Sequence, residues 1–359
     1  MNIVILHNAV SSDDSPEDLD TLAQVRSISD SLGRLGYRGV AVPCTLDLAA
    51  LRETLLECRP QLVFNLVESL GGTDSLSYLA SALLDALALP YTGNSTEALF
   101  TTNHKLMAKR IMRLAGLPTP HWFSEDGCGP DSDTAPLKPP CIIKSVWEHG
   151  SRGLDDDNVI LTGDTLLVRQ LLREFTARTG RPHFAELFID GREFNLPMLD
   201  GPDGPQILPV GEMDFSTFPA DKPRIIGHRA KWHESSFEYH NTPRHFRFHE
   251  DDRPLVELMT RLALECWRLF GLQGYVRVDF RVDQAGQPWI LEINTNPCLS
   301  PDAGYIAALT EAGLDYDDAI QRIVQKAAGG NSKCQTTNSK QIPNTKAENS
   351  QRVVSVLEI

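Results

Sequence analysis

Two neighbouring segments near the C-terminus place polar side chains at strand spacing. "YVRVDFRV" carries Arg277 and Asp279 two positions apart, and "WILEIN" does the same with Glu292 and Asn294. Residues two apart in a strand share a face, so a hairpin would bring these four side chains together. Carboxylate and amide oxygens suit Mg²⁺, and an arginine beside them can hold a phosphate or an oxyanion. The alternative is a solvated hairpin face with cross-strand ion pairs.

The remaining positions of the two segments are mostly apolar and predict a second face that packs on a core. Ile290 falls on the polar side of its segment. The expected core-facing residues are Val276, Val278, Phe280, Val282, Trp289, Leu291 and Ile293.

Composition limits the class of protein. The chain has 359 residues, 41% hydrophobic and 23% charged, with a formal net charge of −14, which predicts a globular protein of two to three domains. The acidity argues against a non-specific nucleic-acid binder, because such proteins need a basic surface. No apolar stretch approaches membrane-spanning length and no signal peptide begins the chain, so we expect a cytoplasmic protein with no membrane partner. The seven cysteines lack a Cys-x-x-Cys pair, which favours free thiols.

The first hundred residues alternate strand and helix patterns, which predicts a parallel sheet covered by helices. "NIVIL", "GVAVP" and "QLVFNLV" are the strands, with helices over Leu19 to Leu35 and over "LAALRETLLECR". "ESLGGTDS" follows the third strand, where such sheets usually bind ligands. An ordinary turn is an equal alternative.

Beyond residue 102 the pattern changes. We expect helices over Asn103 to Leu117, Thr165 to Thr179 and Pro254 to Phe270, and a last helix over "AGLDYDDAIQRIVQKAAG". "CIIKSV", "HFAELFI", "GREFNLPML" and "QILPVGEM" are predicted strands, with a hairpin turn at Asp190 and Gly191. Residues 331–359 are predicted to form a disordered tail, because "NSKCQTTNSKQIPNTKAENSQ" has almost nothing apolar to bury. The final "RVVSVLEI" is open to two alternatives, a short ordered patch or a partner-binding end.

Familiar nucleotide motifs are missing from the sequence. No lysine follows a glycine, so there is no P-loop, and no G-x-G-x-x-G follows a strand. Any ATP site must therefore be built in another way.

Several segments together carry a family resemblance. "GYVRVDF…WILEINTNPCLSPDAG" resembles the C-terminal metal and phosphate motif of the ATP-grasp superfamily, in its D-alanine-D-alanine ligase-like branch. "LPYTGNSTEALFTTNHKLMAKRIMRLAGLPTP", "CIIKSVWEHGSRG", "AELFIDGREFNL" and "HRAKW" extend the match in compatible order from about Asn65 to Asp318. Several motifs in the right order make a specific signal.

The resemblance implies an α/β ATP-grasp fold, α+β in its lid. We expect an N-terminal parallel α/β domain over residues 1–102 and a small central lid subdomain over 103–190. A C-terminal mixed-sheet subdomain with the metal site would cover 191–330, and the tail would cover 331–359.

The resemblance also implies roles for individual residues. Lys105 and Lys144 would reach the ATP phosphates, assisted by Lys231. Gly150, Ser151 and Gly153 would belong to a mobile loop over the phosphates, with Ser151 at the catalytic centre. Glu186 and the backbone of Phe188 and Ile189 would meet the adenine, and Glu193 the ribose. Arg277 would stabilise acyl transfer, and the expected ligands of two Mg²⁺ ions, or Mn²⁺, are Asp279, Glu292 and Asn294.

The implied activity is an ATP-dependent carboxylate-amine ligase that joins small amino-acid or peptide-like substrates through an acyl phosphate. A hydroxyl or carrier-bound acceptor is one alternative, and a non-catalytic nucleotide-binding module is another. A homodimer is a further expectation from the resemblance.

The sequence departs from authentic D-alanine-D-alanine ligases around the amino-acid site. Trp232 stands where the family has a tyrosine, and Ala303 where it has a serine for the second substrate's carboxylate; nearby Ser300 could substitute. These changes argue against D-alanyl-D-alanine as the product. A transition-metal site or, preferably, scattered polar contacts would explain His228, His233, His240, His245 and His249.

Overall fold

The computed structural model describes residues 1–11, 16–125, 127–128 and 138–330. The predicted disordered tail and most of the Pro- and Gly-rich stretch near residue 130 lie outside the described residues. The strands are β1 (Asn2–Asn8), β2 (Arg38–Cys44), β3 (Leu62–Asn65), β4 (Trp122–Ser124), β5 (Gly127–Cys128), β6 (Cys141–Ser145), β7 (Val159–Ile160), β8 (His183–Leu187), β9 (Arg192–Gly201), β10 (Gly204–Ile207), β11 (Gly211–Met213), β12 (Arg244–His245), β13 (Tyr275–Val282) and β14 (Pro288–Asn294). The helices are α1 (Pro16–Arg34), α2 (Leu48–Cys58), α3 (Tyr78–Ala86), α4 (Thr96–Asn103), α5 (Lys105–Leu114), α6 (Thr165–Thr179), α7 (His228–Trp232), α8 (Phe237–His240), α9 (Arg253–Leu269), α10 (Gly304–Glu311) and α11 (Tyr316–Gly330).

The N-terminal part is a parallel sheet in the order β2-β1-β3, as the alternating pattern predicts. The central strand β1 is apolar from Ile3 to Leu6, as expected for a strand that is covered on both faces. Ile3 and Ile5 pack with α1 and α11, and Val4 and Leu6 pack on the side of α2 and α3. The last described helix thus closes the first sheet of the chain.

A second, antiparallel sheet has the order β5-β4-β8-β6-β7. Helix α6 covers one face, where Ile143 and Ala185 pack with Val168 and Leu172. Strand alternation directs Lys144 to the opposite face. That face is the one that meets the rest of the molecule.

The third sheet has the order β12-β11-β9-β13-β14, with β10 also paired to β9. Every described pairing in it is antiparallel, where a mixed sheet was expected. The predicted strand "QILPVGEM" is two strands, because Pro209 lacks an N–H and interrupts the pairing along β9. Helix α9 packs on this sheet through Met259, Ala263 and Cys266.

The predicted hairpin between β8 and β9 is wrong. Strand β8 belongs to the second sheet and β9 to the third, so the chain crosses between sheets at residues 188–191. A Cβ at Gly191 would collide with the backbone carbonyl of Val282, so the crossing passes too close to β13 for a side chain. The helix expected over Asn103 to Leu117 is confirmed as α5, which follows α4 after a break at His104. The proposed domain boundaries at residues 102, 190 and 330 stay a prediction.

Candidate functional site

A cavity of about 440 Å³ lies where the three sheets meet. Every residue that the resemblance assigned to the site lines it: Lys105, Lys144, Gly150, Ser151, Gly153, Glu186, Phe188, Ile189, Glu193, Lys231, Arg277, Asp279, Glu292 and Asn294. These side chains come from all parts of the chain beyond residue 104. The roles of these residues in binding a ligand stay predictions. The fold does bring all of them to one cavity.

The hairpin predicted for "YVRVDFRV" and "WILEIN" is present as β13 and β14. Arg277 pairs with Asn294 and Asp279 with Glu292 across the strands, and all four residues line the cavity. On the other face of β13 the predicted core residues Val276, Val278, Phe280 and Val282 are buried together.

A β-bulge corrects one detail of β14. The register shifts between Asp279 and Phe280, so that Phe280 lies opposite Ile290. Ile290 is therefore buried in the core and Leu291 lines the cavity, the reverse of the expected sides. The extra residue breaks the period of two, which simple alternation cannot anticipate.

Asp279 is held from two sides. The guanidinium of Arg277 donates to both of its carboxylate oxygens at 2.7 Å, and the amide of Asn195 on β9 donates at 2.8 Å. Burial alone would lower the pKa of Arg277, but the adjacent carboxylate outweighs it and the net shift is upward. The sequence analysis missed Asn195, although it alternates with core residues on β9.

Glu292 faces a cluster of lysines. Its carboxylate lies 3.7 Å from the Nζ atom of Lys105. Burial acts to raise the pKa of Glu292, but the charges of Lys105 and neighbouring lysines outweigh burial and hold the pKa well below the usual range. Glu292 is therefore ionised at neutral pH and suited to a cation.

Glu186 joins two lysines in a buried network. Its oxygens lie 2.5 Å from Lys144 and 2.6 Å from Lys109, and only 1% of the side chains of Glu186 and Lys109 is exposed. Burial acts to raise the pKa of Glu186, but the two lysines lower it overall. Lys109 also donates to Thr119, whose hydroxyl donates to the carbonyl of Ile290. Sequence analysis missed Lys109, although it lies one helical turn from Lys105.

Lys105 is buried, although a lysine near a helix start is usually solvated. Its Nζ atom donates to the carbonyl of Glu148 at 2.5 Å. That carbonyl belongs to the loop that follows β6. The lysine therefore links α5 to the loop that was expected to close over phosphates.

The loop at residues 147–154 contacts several parts of the molecule. Ser151 donates to the carbonyl of Ile226 at 2.7 Å, and Arg152 pairs with Asp18 at 2.8 Å. Trp232, at the position where the resemblance implied a tyrosine, donates to the carbonyl of Gly150 at 3.3 Å. Ser151 has a φ of 62°, in the left-handed region. The loop thus covers the cavity in this conformation.

In the segment expected to contact adenine, one backbone group is already hydrogen-bonded within the protein. The N–H of Phe188 donates to the carbonyl of Pro140, which leaves its own carbonyl and the N–H of Ile189 for a ligand. Glu193 lies 3.2 Å from Arg281. Burial raises the pKa of Glu193 above its ordinary value, although Arg281 opposes the shift.

Part of the cavity lining is acidic, and sequence patterns gave no signal for it. Asp20, Glu68 and Asp74 line it. Burial, reinforced by a neighbouring carboxylate, raises the pKa of Glu68 to about 8 and that of Asp74 to about 7. Ser300, considered as a replacement for the family serine, donates its hydroxyl to Asp20 at 2.6 Å and is buried.

The five histidines of residues 228–249 show mutual ring contacts in only one case, between His228 and His233 at 5.2 Å. Within the described ranges, no group of three or more His, Cys, Asp or Glu side chains is arranged to hold a metal ion. The candidate magnesium ligands comprise two carboxylates and an amide, a set that needs water or phosphate oxygens to complete it.

No helix in the described part of the chain is long and apolar enough to cross a membrane.

Comparisons with known proteins agree with this architecture. Residues 134–325 match the family model described as "D-ala D-ala ligase C-terminus". The D-alanine-D-alanine ligase of Moorella thermoacetica is 27% identical over 340 residues, which cover 91% of this chain and 99% of that protein. An uncharacterized protein, y4sG, of Sinorhizobium fredii is 29% identical over 266 residues, covering 74% of each chain. The crystal structure of the Bacillus anthracis D-alanine-D-alanine ligase complexed with ATP superposes with a TM-score of 0.66 at 18% identity, covering 92% of this chain and 99% of that one.

The fold is therefore that of the ATP-grasp ligases. Within that class the chain belongs to the D-alanine-D-alanine ligase family, whose C-terminal model matches more than half of its length.

Proposed function

We propose that this protein is an ATP- and Mg²⁺-dependent ligase that joins a carboxylate to an amine through an acyl phosphate. Its substrates are small amino-acid or peptide-like molecules. The observation that carries the proposal is the convergence of Lys105, Lys144 and Arg277 on the Asp279–Glu292 pair within one cavity. Lysines and oxygen ligands of this kind are what phosphoryl transfer between two anions requires.

ATP would lie against the second sheet. Lys144 and Lys105 would contact its phosphates, and Glu193 its ribose. Because Glu186 binds Lys144 at 2.5 Å and Lys109 at 2.6 Å, its role includes fixing the lysine that faces the nucleotide. Burial and the charge of Arg277 lower the pKa of Lys231. A bound phosphate would stabilise the charged form of this lysine.

Asp279, Glu292 and Asn294 fit a magnesium site by donor chemistry, since all three offer hard oxygen atoms on the cavity side of the β13–β14 hairpin. Glu292 is ionised because the lysines hold its pKa low. Bound Mg²⁺ would neutralise phosphate charge as the substrate carboxylate approaches. Asn195 and Arg277 keep the Asp279 carboxylate oriented toward the cavity.

Arg277 would stabilise the oxyanion that forms when an amine attacks the acyl carbon. Its side chain is held in place by paired hydrogen bonds to Asp279, so little reorganisation is needed. The loop at residues 147–154 would exclude water, which otherwise hydrolyses an acyl phosphate. Its contacts to residues 226 and 232 place it over the cavity.

The test is ADP release from Mg-ATP across a panel of D- and L-amino acids, dipeptides and hydroxy acids, with mass spectrometry of the products. Stimulated release with an amide product supports the proposal. An ester product would assign a hydroxyl acceptor instead. ATP binding with no stimulated release across the panel would favour a non-catalytic module and contradict the proposal.

A further inference from the structure

Arg281 is the third polar side chain of β13 that lines the cavity, after Arg277 and Asp279, and the proposed function gives it no role. Only 4% of its side chain is exposed. A buried charge is costly unless nearby groups satisfy it, so the partners of this arginine indicate its function.

One partner is Glu193, which lies directly opposite Arg281 on strand β9. The Nε atom of Arg281 is 3.2 Å from a carboxylate oxygen of Glu193. Glu193 is mostly buried too, with 13% of its side chain exposed, and it lines the cavity. Arg281 therefore provides the positive charge that this buried carboxylate needs.

The other donors of Arg281 bind backbone carbonyls of distant segments. One terminal nitrogen donates to the carbonyl of Gly191 at 2.9 Å, and the other donates to the carbonyl of Arg224. Gly191 belongs to the crossing between the second and third sheets, which passes against β13. All three nitrogen atoms of the guanidinium thus contact protein groups, and the planar side chain is held in one orientation.

Two aromatic rings lie close to the same guanidinium. Its Cζ atom is 5.3 Å from the centre of the Phe188 ring and 5.6 Å from that of the Phe215 ring. Cation–π contacts of this kind are stronger when they are shielded from water. Arg281 therefore contacts both the residue expected at the ribose, Glu193, and a residue expected at the adenine, Phe188.

Glu193 keeps the capacity to bind a ligand while it is paired. A carboxylate has about four acceptor positions, so it can accept a hydrogen bond from Arg281 and others from hydroxyl groups at the same time. Hydrogen bonds from hydroxyls to an ionised carboxylate are short and about twice as strong as those between neutral groups. The position of this carboxylate at the cavity thus decides how well hydroxyl groups of a ligand are recognised.

We propose that Arg281 is a positioning residue for the nucleotide. By fixing the carboxylate of Glu193 at the cavity, it makes the site select a nucleotide that carries ribose hydroxyls. The inference rests on the proposed function, because it places ATP in this cavity with its ribose at Glu193. Arg281 itself would contact neither the ribose nor the reacting atoms.

The first test measures nucleotide binding without turnover. Isothermal titration calorimetry with Mg-ATP and with Mg-2′,3′-dideoxy-ATP gives two Kd values, and their ratio measures the recognition of the ribose hydroxyls. The wild type should bind ATP at least about tenfold more tightly than the dideoxy nucleotide. Arg281→Met should lower that ratio at least about threefold, and Glu193→Gln should do the same, because hydrogen bonds to charged groups are lost in both.

A second variant covers the case in which Arg281→Met does not fold. Arg281→Gln keeps a side-chain donor for the backbone carbonyls but carries no charge for Glu193, so it should also lower the ratio at least about threefold. Arg224→Gln is the matched control. The side chain of Arg224 is exposed and lies 3.7 Å from Asp190, and its replacement should leave the ratio unchanged.

The ligase assay adds an independent readout. Arg281→Gln should raise KM for ATP at least about threefold and change kcat at saturating ATP by less than about twofold, because the ribose is remote from the transferred phosphate. A lower kcat with an unchanged KM would place the effect at the reacting groups and contradict a positioning role.

The binding ratio separates this inference from simpler explanations. If the Arg281 variants bind both nucleotides more weakly but keep the wild-type ratio, Arg281 only stabilises the crossing, and the inference is wrong. A wild type that binds the two nucleotides equally would also overturn it, even if ligase activity is found. Selective binding of ATP by the wild type that is lost in the Arg281 variants would support the inference even if no ligase activity is found.

Discussion

Asp279 and Glu292 lie directly opposite each other on adjacent antiparallel strands. Two carboxylates in this position repel each other unless cations lie between or around them. Here Arg277 binds the first, and Lys105 lies 3.7 Å from the second. The charges of Arg277 and Lys105 therefore stabilise the two carboxylates. The proposed binding of a metal ion and phosphates would use the same arrangement.

Glu292→Gln should abolish turnover and leave the fold nearly intact. The amide keeps the shape but removes the charge that a bound Mg²⁺ needs, so we expect ATP-dependent product formation to fall by at least about 100-fold. Steady-state ADP release and circular dichroism measure the two effects. Glu311→Gln, at an exposed position on α10, is the control and should retain activity. Wild-type turnover in Glu292→Gln would exclude Glu292 as a ligand of the proposed Mg²⁺ site.

Lys109→Met should destabilise the protein. The change leaves Glu186 with one of its two lysines in a region where neither side chain is more than 1% exposed. Breaking a buried ion pair from one side costs about 3 kcal/mol or more. Urea unfolding measures the loss, and Lys138→Met, at an exposed position, should change stability by about 0.5 kcal/mol or less. Equal stability of the two variants would mean that Lys144 alone satisfies Glu186.

Stability should depend on Glu68 between mildly acidic and alkaline pH. Burial raises its pKa from 4.5 to about 8, so the fold favours the protonated form. The stabilisation is complete below about pH 4.5 and is lost as the pH rises through about 8. Glu68→Gln should flatten this dependence and be more stable than the wild type at high pH. Urea midpoints across that pH range test it, with Glu53→Gln, at an exposed position, expected to follow the wild type.

Gly191→Ala should disturb the crossing between the second and third sheets. The added methyl group would collide with the carbonyl of Val282, and overpacking of this kind costs about 1 to 3 kcal/mol. Gly33→Ala adds a methyl group in helix α1 where nothing lies within 4 Å, and it should be neutral or stabilising by up to about 1 kcal/mol. Thermal unfolding distinguishes them. Equal midpoints would show that the crossing can shift without cost.

Sequence patterns determined the elements whose contacts are local. Alternation identified β13 and β14, helical periodicity identified α6 and α9, and the apolar run of β1 indicated a strand covered on both faces. Hydrophobic period and turn residues are properties of short segments, so the chain carries them without reference to its partners. The ordered motifs also indicated the family and the residues that line the cavity.

Tertiary structure decided what depends on distant segments. The bulge that moves Leu291 into the cavity, the separation of β8 from β9, and the burial of Lys109 arise from packing between sheets. The contacts of Arg281 depend on Glu193 and Arg224, which are distant from it in sequence. A short segment has the same local pattern whether or not such neighbours are present, so only the folded chain brings these groups together.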